Sequence, residues 1–128
     1  MNKSQLQNIL KQIPVSAPIE VYFRDRFSIK ETRAEIDNIS IEYRPHEITL
    51  IKLNFSNYFK NAAEITIETG EFLKIVESNL ITDESLVVGY DYSNLYPLKH
   101  LEVCFSSSGY KVRLYLEEEI LNERNSAA

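Results

Sequence analysis

Three residues able to attack, donate or accept stand at alternate positions near the C-terminal end: His100, Glu102 and Cys104, within KHLEVCFSSSGYKVRLYLEEE at 99–119. A histidine beside a cysteine could raise a thiolate, with a carboxylate to orient the imidazole. Spacing argues otherwise. On an extended strand, with a rise of about 3.3 Å per residue, His100 and Cys104 lie roughly 13 Å apart, whereas nucleophile and base must approach to about 3 Å. The remaining route to a reactive thiol is a thiolate favoured by nearby Arg113 and Lys111.

Other chemistry fares no better. Two histidines, His46 and His100, and one cysteine give no zinc-ligand spacing, and no acidic loop carries the glycine of a calcium hand. Phosphate loops, dinucleotide fingerprints and nucleophile elbows are absent from a chain with 3 glycines. Glu20, Asp25 and Glu42 are carboxylates that could face a cleft or water. No catalytic, cofactor-binding or metal-ligating residue is assigned, and the chain reads as non-enzymatic.

The elements that would position these residues follow from hydrophobic period. Leu6, Ile9, Leu10 and Ile13 predict a helix over 3–13, with Ser4 available as N-cap and Pro14 beyond its end. From Ile19 the period changes to two, through Val21, Phe23, Phe27 and Ile29, and again over 38–44 through Ile39, Ile41 and Tyr43. The stretch EITLIKLNF at 47–55 is apolar on both faces at its start, as suits a central strand. Phe55, Tyr58, Phe59, Ala62 and Ala63 return to helical spacing, whereas Ile65 and Ile67 read as a strand. Phe72, Ile75, Val76 and Leu80 fit one helix face or a strand after a Thr69-Gly70 turn, and helix is preferred for 71–79. Residues 85–92 alternate again.

The best-defined element is the last hairpin. Leu101, Val103 and Phe105 must share a face with Tyr110, Val112, Leu114 and Leu116, because a one-residue slip would turn one apolar set to water. A two-residue Ser108-Gly109 turn has the required even parity. It sets His100 opposite Glu117, Glu102 opposite Tyr115 and Cys104 opposite Arg113, as a solvated face. EEEILNER then reads as a short terminal helix led by glutamates. The expected fold is a single α+β domain over 1–128, a mainly antiparallel twisted sheet of about six strands with an N-terminal helix, one or two central helices and a C-terminal helix.

Composition agrees with a packed core: of 128 residues, 44% are hydrophobic and 26% charged. One cysteine forms no internal disulfide, and the first residues lack a signal-peptide pattern, so cytoplasmic residence is expected. No apolar run approaches the roughly 20 residues of a membrane span.

The net charge of −5 is unevenly spread, because residues 62–98 hold seven acidic groups against one base, Lys74. Such a balance disfavours direct nucleic-acid binding and favours a basic partner. Glu64, Glu68, Glu71, Glu77, Asp83, Glu84 and Asp91, with Tyr90, Tyr92 and Tyr96 of GYDYSNLYP, are therefore read as one acidic, aromatic partner-binding surface.

An acidic, charge-polarised α+β chain of this size without a catalytic motif resembles the immunity proteins that neutralise bacterial toxins, including those of contact-dependent growth-inhibition systems. The resemblance implies tight stoichiometric binding, often to a basic nuclease domain. Because immunity families differ in fold, it carries over no contact residue. Two other classes remain: a homodimeric type III secretion chaperone with apolar grooves, and a small enzyme with a deep pocket of convergent polar groups.

Overall fold

The computed structural model describes residues 1–24, 31–43, 45–56, 67–91, 94–117 and 121–122. Along the chain come α1 (Lys3–Lys11), β1 (Ile19–Phe23), β2 (Thr32–Ala34), β3 (Ile36–Glu42), β4 (Leu50–Phe55), α2 (Thr69–Val76), β5 (Leu86–Asp91), β6 (Asn94–Ser106), β7 (Gly109–Leu116) and β8 (Leu121–Asn122). The strands lie in the order β2-β1-β7-β6-β5-β4-β3, with β8 paired to β6.

The sheet is mixed, which corrects the expectation of about six mainly antiparallel strands. β4 and β5 run parallel, as do β1 and β7. The first parallel pair follows from its connection, since parallel neighbours need a crossover and the segment between β4 and β5 contains α2. The second joins distant parts of the chain, and no local pattern announces it. Where a terminal helix was expected, Leu121 and Asn122 pair antiparallel with Leu95 and Asn94. Most of the helix expected over 55–63, and the strand residues Phe27, Ile29 and Ile65, lie outside the described residues. β4 is central, flanked by β3 and β5, and 69–76 is helical rather than extended.

The sheet curls strongly. Flat strands spaced about 4.8 Å apart would hold β1 and β4 roughly 19 Å from each other, yet the Phe23 and Phe55 rings meet at 5.0 Å. At the seam, β2 and β3 are the two ends of the strand order and are joined by one residue, Glu35, whose carbonyl accepts from the Ser56 N–H at 2.7 Å. Tyr96 completes this inner aromatic cluster, stacked on Phe55 at 5.7 Å. Ile19, Val21, Ile51, Leu53, Val112 and Leu114 line the concave face and share a core with Leu6, Leu10, Phe72 and Val76 of the helices. Packing is tight enough that a side chain at Gly89 would collide with Leu116 and Phe55.

β6 keeps its thirteen residues in phase by a bulge between Leu98 and His100. Tyr96 and Leu98 face inward before it, Leu101 and Val103 after it, so one extra residue switches the parity while the apolar side stays inside. In the hairpin that follows, the apolar residues share a face as expected, but the turn is Ser107-Ser108, not Ser108-Gly109. A two-residue turn at Ser108-Gly109 would need left-handed backbone at a serine, whereas here Gly109 carries it, at φ 111°.

Asn2 caps α1 in place of the expected Ser4. Its Oδ1 accepts from the Gln5 N–H at 2.9 Å while its own N–H donates to Gln5 Oε1 at 3.0 Å. α2 has no side-chain cap. Its first N–H groups donate instead to the carbonyls of Ala17 and Val15, at 2.8 and 2.9 Å. Buried Thr69 adds a hydroxyl bond to Ala17 at 2.9 Å. At the other end Lys3 Nζ donates to the carbonyls of Ser78 and Ile81, at 3.0 and 2.9 Å. Both ends of α2 are thereby fixed to the first nineteen residues.

Candidate functional site

Strand pairing arranges the convex face as cross-strand rows. Arg33, Tyr22, Tyr115 and His100 form one row across β2, β1, β7 and β6; Glu20, Arg113 and Glu102 form the next; Lys111 and Cys104 the third. His100 and Tyr115 stack at 4.5 Å, and Tyr115 and Tyr22 at 5.5 Å. The slip of the hairpin by two residues thus gives His100 an aromatic partner instead of Glu117, and Cys104 faces Lys111 rather than Arg113.

Glu20 sits at the centre of this face with its side chain only 11% exposed. Arg113 Nε donates to its Oε1 at 3.2 Å, Lys111 Nζ lies 3.5 Å from the same oxygen, and Arg33 reaches Oε2 at 3.4 Å. Burial works against its ionisation, but the Arg113 hydrogen bond and the Lys111 and Arg33 charges outweigh it and hold the carboxyl below its ordinary value. Burial, followed by the charge of Glu20, raises the pKa of the Tyr22 phenol, whose O–H donates to Glu20 Oε1 at 3.3 Å.

Cys104 does not take the remaining route to a reactive thiolate. Its Sγ donates to Glu102 Oε1 at 3.0 Å. That hydrogen bond, then burial and the carboxylate charge, raise the thiol pKa against the weaker opposite pull of Arg113 and Lys111. The thiol is held protonated, and its neighbour Glu102 is engaged with it and with Arg113 at 3.9 Å.

The acidic residues occupy a different region. Glu68, Glu71 and Glu77 lie at the start, on the outside and at the end of α2, and Asp83 and Glu84 follow in the loop to β5. All five are exposed, and among the described residues none of them pairs with a lysine, arginine or histidine. The loop that carries the last two is internally bonded. Thr82 N–H donates to Ser85 Oγ at 2.9 Å, Glu84 N–H to Thr82 Oγ1 at 3.3 Å, and Ser85 N–H to the Thr82 carbonyl at 3.0 Å.

The rest of the expected surface does not join them. Tyr90 pairs with Leu95 and Gly89 with Tyr96, so Tyr90 and Tyr96 face opposite sides of the sheet. Tyr96 is buried at 4% exposure within the aromatic cluster and offers no surface for docking. Tyr90 is half-buried on the convex side, away from α2, with Lys52 Nζ 3.7 Å from its ring centre. Lys52 also bonds Glu42 at 3.2 Å. Asp91 ends the six-residue β5, at the opposite end from Leu86 and the loop. Glu64 and Tyr92 lie outside the described residues.

A feature that no sequence motif announces adjoins the acidic loop. Between the β3–β4 turn and the loop after α2 opens a groove of about 560 Å³ lined by Tyr43, His46, Glu47, Ile48, Thr49, Asn79, Leu80, Thr82 and Glu84. His46 shapes its turn with a left-handed φ of 67°, a conformation in which histidine is enriched among residues other than glycine. Its apolar members gave no signal, because Leu80 fitted the helix face of Phe72, Ile75 and Val76, and Ile48 fell in the stretch at 47–55 read as a central strand.

Among the described residues no three histidine, cysteine or acidic side chains are grouped to hold a metal ion, and no helix is long and apolar enough to cross a membrane. Compared with known protein families, curated proteins and solved structures, the chain matches none.

Proposed function

We propose that this chain is a binding protein of immunity type, which acts in the cytoplasm by stoichiometric capture of a basic toxin domain through the acidic surface of α2 and the loop after it. The observation that carries it is the set of five exposed carboxylates, Glu68, Glu71, Glu77, Asp83 and Glu84, with no internal ion pair among the described residues. Glu68, Glu71 and Glu77 belong to α2 and its caps, and Asp83 and Glu84 to the loop after it, a unit tied to the N-terminal segment through the Ala17, Val15 and Lys3 contacts. Unpaired charge on a fixed support attracts an opposite charge from a distance and loses little conformational freedom on docking. The mechanism is steric: attraction speeds encounter, and the bound domain is denied its substrate.

Survival provides the test. Cells that carry the toxic domain encoded beside this gene should live when the chain is co-expressed, and the purified pair should run as a 1:1 complex. Lysine at Glu71, Glu77, Asp83 and Glu84 together should slow association by roughly tenfold or more at low salt and much less at high salt. Association rates that ignore those four reversals would remove the acidic surface from the mechanism.

One observation favours a second class. Val103, Phe105 and Tyr110 are exposed on the same side of the β6–β7 hairpin tip, Phe105 by 73%, and an apolar surface of this kind suits a homodimer of the secretion-chaperone class. Light scattering separates the two, since that class requires twice the chain mass without any toxin present.

A further inference from the structure

The groove beside the acidic loop supplies the anchor that the buried and averted tyrosines do not. We infer that it takes a short segment of the partner in which an apolar side chain is flanked by lysine or arginine. This deepens the proposed function and rests on it. Tyr43 and Ile48 on one wall and Leu80 on the other are 57%, 49% and 44% exposed, so apolar surface is left in water on both walls of a concavity whose remaining lining is polar. Scattered apolar residues at a surface are ordinary, but several converging on one depression mark a docking position.

The rim gives the occupant its charge. Glu84 lines the groove and exposed Asp83 precedes it, and among the described residues no lysine or arginine lines the groove to offset them. A buried apolar centre with a charged margin is the anatomy of a protein–protein contact in which one anchor fills a pocket and the rim fixes register. The two walls are also held in place: Lys3 secures the carbonyls of Ser78 and Ile81 on either side of Leu80, and Leu86 N–H donates to the Thr49 carbonyl at 3.2 Å. Little ordering is left for the partner's anchor to impose.

The probes are two capped peptides, Lys-Arg-Leu-Lys-Arg and Lys-Arg-Ser-Lys-Arg, titrated at low ionic strength into the 15N-labelled full chain. The leucine peptide should shift the amide signals of Ile48, Thr49, Leu80 and Thr82 and bind roughly tenfold more tightly than the serine peptide, as expected for burying most of one leucine. Replacing Ile48 and Leu80 together (Ile48→Ser, Leu80→Ser) should erase that preference with little change in melting temperature, because both side chains are already about half exposed. Equal affinity for the two peptides, or shifts that bypass the groove, would overturn the anchor and leave the acidic surface standing. Binding of neither peptide would overturn both together.

Discussion

Glu20 and the carboxylates around α2 are the same chemistry placed in opposite circumstances. Glu20 is nearly buried on the convex sheet and receives Arg113, Lys111 and Arg33 within 3.5 Å. Glu71, Glu77, Asp83 and Glu84 are exposed, and none of those bases reaches them. The first arrangement spends its charge inside the molecule, joining β1, β2 and β7 side by side, and has little attraction left for a partner. The second contributes nothing of the kind to the fold and keeps its field for solvent. A sequence count treats these acids alike. The geometry divides them into a structural group and an available one, and the proposed function depends on that division.

The largest effect that would sharpen the contrast is at Glu20 itself. Glu20→Gln keeps the shape and one acceptor but leaves three cations facing a neutral group. Because the cations are 35–51% exposed, solvent screens part of the loss, and urea unfolding at neutral pH should register about 1–2 kcal/mol of destabilisation. No change would mean that the three contacts merely decorate the sheet.

The row of residues around Glu20 also marks how far the sequence could be read. Alternation gave the side each residue takes: Leu101, Val112 and Leu114 inward, Glu102, Cys104 and Arg113 outward, as observed. Parity is a local property, set by the pleat. Which residue stands opposite which depends on the turn, and the turn depended on where a left-handed backbone could be placed, so the partners moved by two positions. Glu20 beside Arg113 depends on β1 lying parallel to β7, ninety-three residues apart in the chain, and period alone carries no information over that separation. The same limit explains the tyrosines. Tyr90 and Tyr96 looked like one patch because they are close in sequence, yet the antiparallel register of β5 and β6 sends them to opposite faces. The acidic stretch on α2 was legible because exposed charge and helical period are both local. The groove was not, since its two walls come from separate loops.

Acid should expose the second part of the contrast. A carboxyl whose pKa is lowered by folding contributes stability that is complete above its unfolded pKa and disappears as pH falls through the folded value. Glu20 is such a group. The stability difference between the native chain and Glu20→Gln should therefore be constant near neutrality, narrow once pH passes below the ordinary glutamate range, and close as pH falls through the lowered folded value. A gap that widened on acidification would reverse the assigned sign and detach Glu20 from its cations.

The smallest effects belong to α2 and test whether its acids serve the helix. Glu71 lies in the first turn, where negative charge meets the positive end of the helix dipole, and Glu77 is the C-cap residue, where it meets the negative end. If stability alone governed these positions, the second glutamate would be a poor choice, particularly with only Lys74 in the last turn to offset it. Neutralising each by glutamine should move stability in opposite directions, a loss of roughly 0.3 kcal/mol at Glu71 and a gain of similar size at Glu77. Both shifts should shrink in high salt. A measured gain for Glu77→Gln, together with slower capture of the partner, would show a charge retained at a cost to its own helix, which is what separates an available carboxylate from a structural one. A loss at Glu77 instead would place it with Glu20, among the acids that the fold itself needs.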